Sequence, residues 1–208
     1  LAAAHRFGVP ALGTSAHAFT MVHTTTDGGT DQWEQAAFRA QVAALGITTT
    51  LLVDTYDVRS GVANAIAAAG TALGAVRIDS GDLGVLARQV RRQLDDLGAT
   101  ATKIVVSGDL DEFAIAALRA DPVDSFGVGT SVVTGSGAPT AGMVYKLVEV
   151  DRVAVEKRSP DKVSHGGRKA ATRLARPSGT VTEEVVHPFG EAHFDEPSRV
   201  LTVPLMRA

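Results

Sequence analysis

The chain has 208 residues, 45% of them hydrophobic and 21% charged, proportions that allow a sizeable buried core and exclude overall disorder. Its 20 Lys and Arg stand against 23 Asp and Glu, a formal net charge of -3 at pH 7, so the chain as a whole has no electrostatic basis for binding nucleic acid or an anionic membrane. Cysteine is absent, which excludes disulfides and thiolate chemistry, permits a reducing cytoplasm, and leaves only His, Asp and Glu as metal ligands.

The first residues, LAAAHRFGVPALG, lack the charged start and cleavage pattern of a secretory signal, and no apolar run approaches the roughly 20 residues of a membrane span. They read as the middle of a helix running into a strand, which predicts that the chain is part of something longer. The apolar segment 8–12 leads into Gly13-Thr14-Ser15-Ala16-His17, where a helix is expected to begin. Of the six histidines, His17 alone sits among small polar residues at a helix start, the setting of a reactive base or nucleophile, with His23 as its rival.

From residue 31 to about residue 130, amphipathic helical stretches alternate with short apolar runs, the pattern of βα units. The runs are TLLV from Thr50, AVRI from Ala75, KIVV from Lys103 and SFGV from Ser125, read as non-alternating, buried parallel strands. Between them Leu83, Leu86, Val90, Leu94 and Leu97 recur at the helical period and Gly98 closes that helix. Asp109 to Glu112 resembles a capping box opening the next helix, with Asp109 as the cap. Periodicity alone leaves two architectures open, an α/β barrel and a doubly wound sheet.

After Gly142 the texture changes to alternating runs, MVYKLVEV, RVAVEK and RVLTVPL, which predict a β-rich segment over residues 151–208 following an α/β portion over 1–150. Residues 157–176 hold seven Lys or Arg and one acid, either a solvated loop or a segment facing a phosphate or a second subunit.

Each apolar run gives way to a polar cluster: Asp54-Thr55-Tyr56-Asp57 after TLLV, Asp79-Ser80-Gly81-Asp82 after Arg77 and Ile78, Ser107-Gly108-Asp109 after KIVV, and Gly129-Thr130-Ser131 after SFGV. In a barrel these ends share the face on which active sites assemble. Carboxylates that accept from ribose hydroxyls or hold Mg²⁺, beside Gly-rich turns whose N–H groups cradle phosphate, suit a phosphorylated, polyhydroxylated ligand. For Asp82 and Asp109 the competing role is a helix N-cap.

The stretches GTSAHAF (13–19), LLVDTYDVRSGVANAI (51–66), VRIDSGDLGVLARQVRRQLDDLG (76–98), KIVVSGDLDEFAI (103–115), FGVGTSVVT (126–134) and MVYKLVEV (143–150) together resemble the nicotinate phosphoribosyltransferases. The resemblance implies the irregular, incomplete (β/α) barrel of the type II phosphoribosyltransferases with a β-rich C-terminal part, found in the cytoplasm and normally a homodimer. It implies transfer of a phosphoribosyl group from phosphoribosyl pyrophosphate to nicotinate, giving nicotinate mononucleotide and pyrophosphate in NAD salvage. ATP hydrolysis is coupled to the transfer through a phosphohistidine that maps to His17, and Mg²⁺ accompanies the substrates.

By the same resemblance, Asp79 joins His17 at the catalytic centre and Arg77 is the pocket arginine for nicotinate. Asp82 and Asp109 match acids near the ribose and its metal, alongside Asp79, and Asp54 and Asp57 fall in the matching acidic turn. Ser80 and Ser107 belong to the same strand-end set, Gly108, Gly127, Gly129 and Thr130 match the turns around the 5′-phosphate, and Lys146 matches a base directed at pyrophosphate. No residue set is assigned as a protein metal site. The family's N-terminal region has no counterpart here, and His165-Gly166 stands where the family shows Pro-Gly. The competing readings are a sibling enzyme acting on quinolinate or nicotinamide, and a non-catalytic remnant that binds phosphoribosyl ligands.

Overall fold

The computed structural model describes residues 2–10, 13–135, 137–159, 164–191, 194 and 197–202. Residues 11–12 of the first apolar segment, 160–163 of the basic stretch, His193 and the end of the RVLTVPL run lie outside these.

After two short helices, α1 (Ala2–Phe7) and α2 (His17–Met21), the chain forms α3 (Thr30–Leu45) and then alternates strictly. The alternation runs β1 (Thr50–Leu52), α4 (Val58–Ala69), β2 (Ala75–Ile78), α5 (Leu83–Asp96), β3 (Lys103–Ser107), α6 (Glu112–Ala117), β4 (Ser125–Gly127) and α7 (Thr130–Thr134). The four strands are parallel and lie in sequential order, β1-β2-β3-β4. A doubly wound sheet reverses its strand order at a switch point, whereas a barrel wall does not. Four parallel strands in sequential order fit a stretch of a barrel wall and equally one half of a doubly wound sheet, so the structure shows a parallel α/β sheet followed by a separate antiparallel one.

Burial is continuous at Leu51, Leu52 and Val53 and at Ala75 and Val76, as the sequence predicts, while Lys103 to Val106 of β3 alternate. Leu51, Val53, Val76, Ile78, Ile104 and Val106 pack with Phe38 of α3, Val62 and Ala65 of α4, and Ala87, Val90 and Leu94 of α5 in one core. Each fully buried Val, Leu, Ile or Phe contributes about 1.5–3 kcal/mol, so this face is committed to the helices. Thr50, Ala75, Arg77, Lys103, Val105, Ser107, Ser125 and Gly127 alternate with the core set and line a cleft on the other face. Leu97, expected on the buried stripe of α5, is 40% exposed, and Gly98 beyond it takes a positive φ and ends the helix.

The helix starts share one device. Asp57 accepts from the backbone N–H of Ser60, Asp82 from that of Val85, and Asp111 from that of Ala114, each capping the helix it precedes. The cap of α6 is thus Asp111 and not Asp109, which has φ 51° and lies within the turn after β3.

Beyond α7 the β-rich expectation holds in part. Residues 143–148 form no strand, and only Glu149–Val150 (β5) pairs with Val153–Ala154 (β6), antiparallel around Asp151 and Arg152. Both turn residues have positive φ, 48° and 68°, the geometry of a two-residue type I′ hairpin. A three-stranded antiparallel sheet comes next, with β7 (Lys169–Ala175) between β8 (Val181–Pro188) and β9 (Ser198–Val200). Every second residue of β7, Ala170, Thr172 and Leu174, is buried.

Candidate active site

The cleft on the open face of the parallel sheet has a volume of about 1020 Å³ and runs from Thr48 and Gly74 up to the strand C-termini. At its upper end the turns after β1, β2 and β3 meet the start of α2, and a charged cluster forms there. The His17 ring is the centre of this cluster. Its Nδ1 lies 3.1 Å from the Thr55 hydroxyl, while Nε2 lies 3.6 Å from Asp79 Oδ2 and 3.8 Å from Asp54 Oδ1.

Asp54 is 1% exposed, so its charge must be met by fixed donors. Its Oδ2 accepts from the Asp79 backbone N–H at 3.0 Å and from the Ser80 hydroxyl at 2.5 Å, whereas the buried Oδ1 has no hydrogen-bond partner among the described residues. Lys157, from the C-terminal part, donates to the Ser80 hydroxyl at 3.3 Å. Because an ammonium can only donate, Ser80 accepts there and directs its own proton to Asp54.

Asp79 is held from the other side. Its Oδ1 accepts from the Arg77 guanidinium at 2.7 Å and from the Ser107 hydroxyl at 2.5 Å, and Arg77 Nε donates to Ser107 at 2.7 Å. Partial burial raises the Asp79 pKa, but His17, Ser107 and Arg77 outweigh it and hold the carboxyl well below the usual carboxylate range. Asp79 is therefore ionised throughout the physiological range. A further Arg77 nitrogen reaches the Ser15 carbonyl at 3.4 Å, tying β2 to the segment before α2.

Gly108, Asp109, Gly127, Gly129 and Thr130 also line the cleft. Gly108 has φ 113°, a conformation that L side chains rarely adopt. Gly127 is needed for space, since a Cβ there would lie 3.0 Å from that of Ser107.

The structure thus brings His17, Asp54, Arg77, Asp79, Ser80 and Ser107 into one network, of which Arg77, Asp79 and Ser107 line the cleft with the Gly-rich turns while His17, Asp54 and Ser80 are not part of its lining. Asp57 and Asp82 take the helix-cap role instead, and neither lines the cleft. Lys146 lies exposed in the irregular stretch before β5 and also does not line it. The basic stretch divides as well. Lys169 donates to the carbonyls of His165, Gly166 and Gly167, and Arg168 lies over the Phe189 ring at 3.8 Å, so these cations hold their own loop.

Sequence reasoning missed Thr55, Lys157 and Ser159, all buried around the Asp54 turn. Thr55 lies inside the Asp-Thr-Tyr-Asp motif, where its acidic neighbours drew the attention. Val155, Lys157 and Ser159 are buried while Glu156 and Arg158 are not, an alternation that an extended segment leaves in the sequence.

Among the described residues no group of three or more His, Asp or Glu is placed to hold a metal, and no helix is long and apolar enough to cross a membrane. The unpartnered, buried Oδ1 of Asp54 and Oδ2 of Asp79 both face Nε2 of His17, so the ring lies between the two carboxylates, and of the two only Asp79 lines the cleft.

The sequence profile of the nicotinate phosphoribosyltransferase (NAPRTase) family matches residues 1–176. The Mycobacterium tuberculosis protein named nicotinate phosphoribosyltransferase pncB1 is 71% identical over 209 residues, covering 100% of this chain and 47% of its own length. A Bacillus subtilis nicotinate phosphoribosyltransferase is 37% identical over 87% of this chain and 38% of its own length. The chain therefore spans about half the length, or less, of these curated relatives. Among solved structures, the nicotinate phosphoribosyltransferase of Porphyromonas gingivalis superposes with a TM-score of 0.66 at 23% identity, over 78% of this chain and 46% of that one, a likeness of fold. The nicotinate-nucleotide pyrophosphorylase of Pyrococcus furiosus superposes with a TM-score of 0.52 at 27% identity, over 98% of this chain and 50% of that one. On the profile match and these identities, the chain belongs to the nicotinate phosphoribosyltransferase family.

Proposed function

We propose that residues 1–150 are the barrel portion of the catalytic unit, and residues 151–208 its β-rich C-terminal part, of an ATP-dependent nicotinate phosphoribosyltransferase. The observation that carries this reading is the His17 ring set between Thr55 and the two carboxylates of Asp54 and Asp79, at the strand ends of the cleft. The reaction joins the ring nitrogen of nicotinate to C1 of the ribose as the bond from C1 to pyrophosphate breaks. The ring nitrogen is already nucleophilic, so no general base on the chain is required, and the protein's task is placement and charge stabilisation.

In this reading the Gly108, Gly127, Gly129 and Thr130 turns cradle the 5′-phosphate, Asp109 faces the ribose, and Arg77, anchored by Asp79 and Ser107, presents its outer edge to the nicotinate carboxylate. Asp57 and Asp82 act from outside the cleft by fixing α4 and α5, and the role of the exposed Lys146 toward pyrophosphate is supported by the family resemblance alone. Mg²⁺, when bound, would neutralise pyrophosphate charge, and Asp79, the carboxylate of the network that lines the cleft, is the residue that would meet it. The coupling step moves the γ-phosphoryl group of ATP to a ring nitrogen of His17, an N–P bond forming as the P–O bond to ADP breaks. Asp54 and Asp79 balance the positive charge of the phosphorylated ring. The whole enzyme is a homodimer working in the cytoplasm on nicotinate, phosphoribosyl pyrophosphate and ATP, without nucleic acid or membrane.

The test uses the protein expressed from its complete gene, assayed for nicotinate mononucleotide with and without ATP, and with nicotinamide or quinolinate in place of nicotinate. His17→Ala is expected to abolish ATP stimulation and the acid-labile phosphate on the protein while leaving a slow ATP-independent transfer. Unchanged ATP stimulation removes His17 from the mechanism, and preference for another pyridine refutes the substrate assignment.

A further inference from the structure

Arg77 stands on the cleft face of β2, and three of the five N–H groups of its guanidinium are committed. Nε donates to the Ser107 hydroxyl at 2.7 Å, Nη2 to Asp79 Oδ1 at 2.7 Å, and Nη1 to the Ser15 carbonyl at 3.4 Å. Nε and Nη2 form one fork of the planar group, and Ser107 and Asp79 close it. The two N–H groups left over, one on each terminal nitrogen, have no acceptor among the described residues. The outer edge they form matches a planar anion with two oxygens.

Ser107 decides which edge faces outward. A guanidinium can only donate, so the Ser107 hydroxyl accepts from Nε and turns its own proton to Asp79 Oδ1 at 2.5 Å. Ser107 is 8% exposed, so bulk water does not stand in for it. Its seat is built by the sheet: β3 pairs with β4 so that Ser107 lies opposite Gly127, which carries no Cβ to crowd it. Without the hydroxyl, Nε–H would be left a donor with nothing to meet. The guanidinium would then pivot to set Nε and Nη2 on the two oxygens of Asp79, the side-on pairing an arginine makes with a lone carboxylate, and its outer edge would turn away from the cleft.

We propose that Ser107 is the positioning residue that makes this site select a pyridine carboxylate, its hydroxyl holding Nε of Arg77 so that the outer edge of the guanidinium meets the carboxylate of nicotinate. Ser107 acts through Arg77 and not on the substrate. The assignment rests on the reading of Arg77 as the holder of that carboxylate, and adds the group that aims it. Nicotinamide presents an NH₂ where nicotinate has its second oxygen, so against the same edge a donor faces a donor, and the aim of the edge also discriminates between the two.

The experiment compares wild type, Ser107→Ala, Ser107→Thr and Arg77→Lys in the protein expressed from its complete gene. The quantities read are kcat, KM for nicotinate, KM for phosphoribosyl pyrophosphate, and kcat/KM for nicotinamide. Loss of the hydroxyl predicts a KM for nicotinate about tenfold higher in Ser107→Ala, and a preference for nicotinate over nicotinamide about tenfold smaller. In the same variant kcat and KM for phosphoribosyl pyrophosphate are expected within about threefold of wild type. Threonine keeps the hydroxyl, and its KM for nicotinate is expected within about threefold of wild type. KM does not depend on the folded fraction, so partial misfolding does not imitate the effect. An unchanged KM for nicotinate in Ser107→Ala overturns the proposal. So does an equal rise in Ser107→Thr, which would assign Ser107 a packing role, or an equal loss in kcat or in KM for phosphoribosyl pyrophosphate, which would move its effect away from the pyridine. An unchanged KM for nicotinate in Arg77→Lys, where the fork is gone, overturns the reading of Arg77 itself and the proposal with it. That failure is distinct, because it is read with Ser107 intact.

Discussion

Glu34 is an acid whose removal has an expected effect on stability with a sign that reverses common expectation. It lies on α3 at 1% exposure, on the same stripe as Ala37, Phe38 and Gln41. One carboxyl oxygen accepts from Asn64 at 3.0 Å and the other has no hydrogen-bond partner among the described residues. Burial, with the neighbouring charges of Asp31, Asp57 and Asp54, pushes its pKa up to about 8 from 4.5, against the opposing hydrogen bond from Asn64. The native state thus keeps a proton that the unfolded chain releases above pH 4.5. Since the unfolded state binds fewer protons in this window, stability falls as pH rises from about 4.5 to about 8. The loss amounts to about 3 kcal/mol at pH 7 and about 4 kcal/mol at pH 8, relative to the acid limit. Glu34→Gln removes the titration while keeping an oxygen for Asn64. Urea unfolding of both proteins at pH 5, 7 and 8 is expected to show the difference moving in favour of the variant by about 3 kcal/mol between pH 5 and pH 8. A pH-independent difference would refute the buried neutral acid, whatever its size.

Two other sets of substitutions test local geometry. Asp57→Ala and Asp82→Ala each remove a helix cap and are expected to lower stability by about 1 kcal/mol, read from denaturant midpoints, while kcat/KM changes by less than about threefold; a loss of a hundredfold in turnover would return these acids to substrate binding. Arg152 holds φ 68° in the β5–β6 turn, a conformation costly for a side-chain-bearing residue, so Arg152→Gly is expected to raise stability by about 0.5–1 kcal/mol in a thermal melt.

The parallel strands were legible because each is a short apolar run closed by a polar turn, and AVRI matches β2 residue for residue. What each acid does was less legible, although a rule is visible afterwards. Asp54 and Asp57, and again Asp79 and Asp82, are acids three apart at the end of a βα turn. In each pair the first faces His17 and the second caps the helix. Composition treats the four as equivalent; only the place where helical hydrogen bonding begins separates them, and that boundary is what propensity fixes worst. The misplacement of the α6 cap at Asp109 has the same origin, because Asp109 and Asp111 both precede Glu112 closely. The MVYKLVEV run alternates like a strand, yet only its last two residues, Glu149–Val150, form one; the Val148 carbonyl accepts from the N–H groups of Val155 and Gly167, and alternation without a strand alongside does not make a sheet. Lys157 and Thr55 escaped because their roles depend on contacts between segments about a hundred residues apart.

The small hairpin of residues 149–154 carries a constraint out of proportion to its size. Downstream of it the chain is extended, with Val155, Lys157 and Ser159 turned inward and Glu156 and Arg158 outward. Adding or deleting one residue at Asp151-Arg152 would invert that parity, bringing an acid and a guanidinium against the Asp54 turn and sending the lysine and serine into solvent. A surface turn that any loop library would treat as free in length is therefore metered by chemistry at the Asp54 turn. Natural variation there should occur in steps of two residues or be absorbed by a bulge.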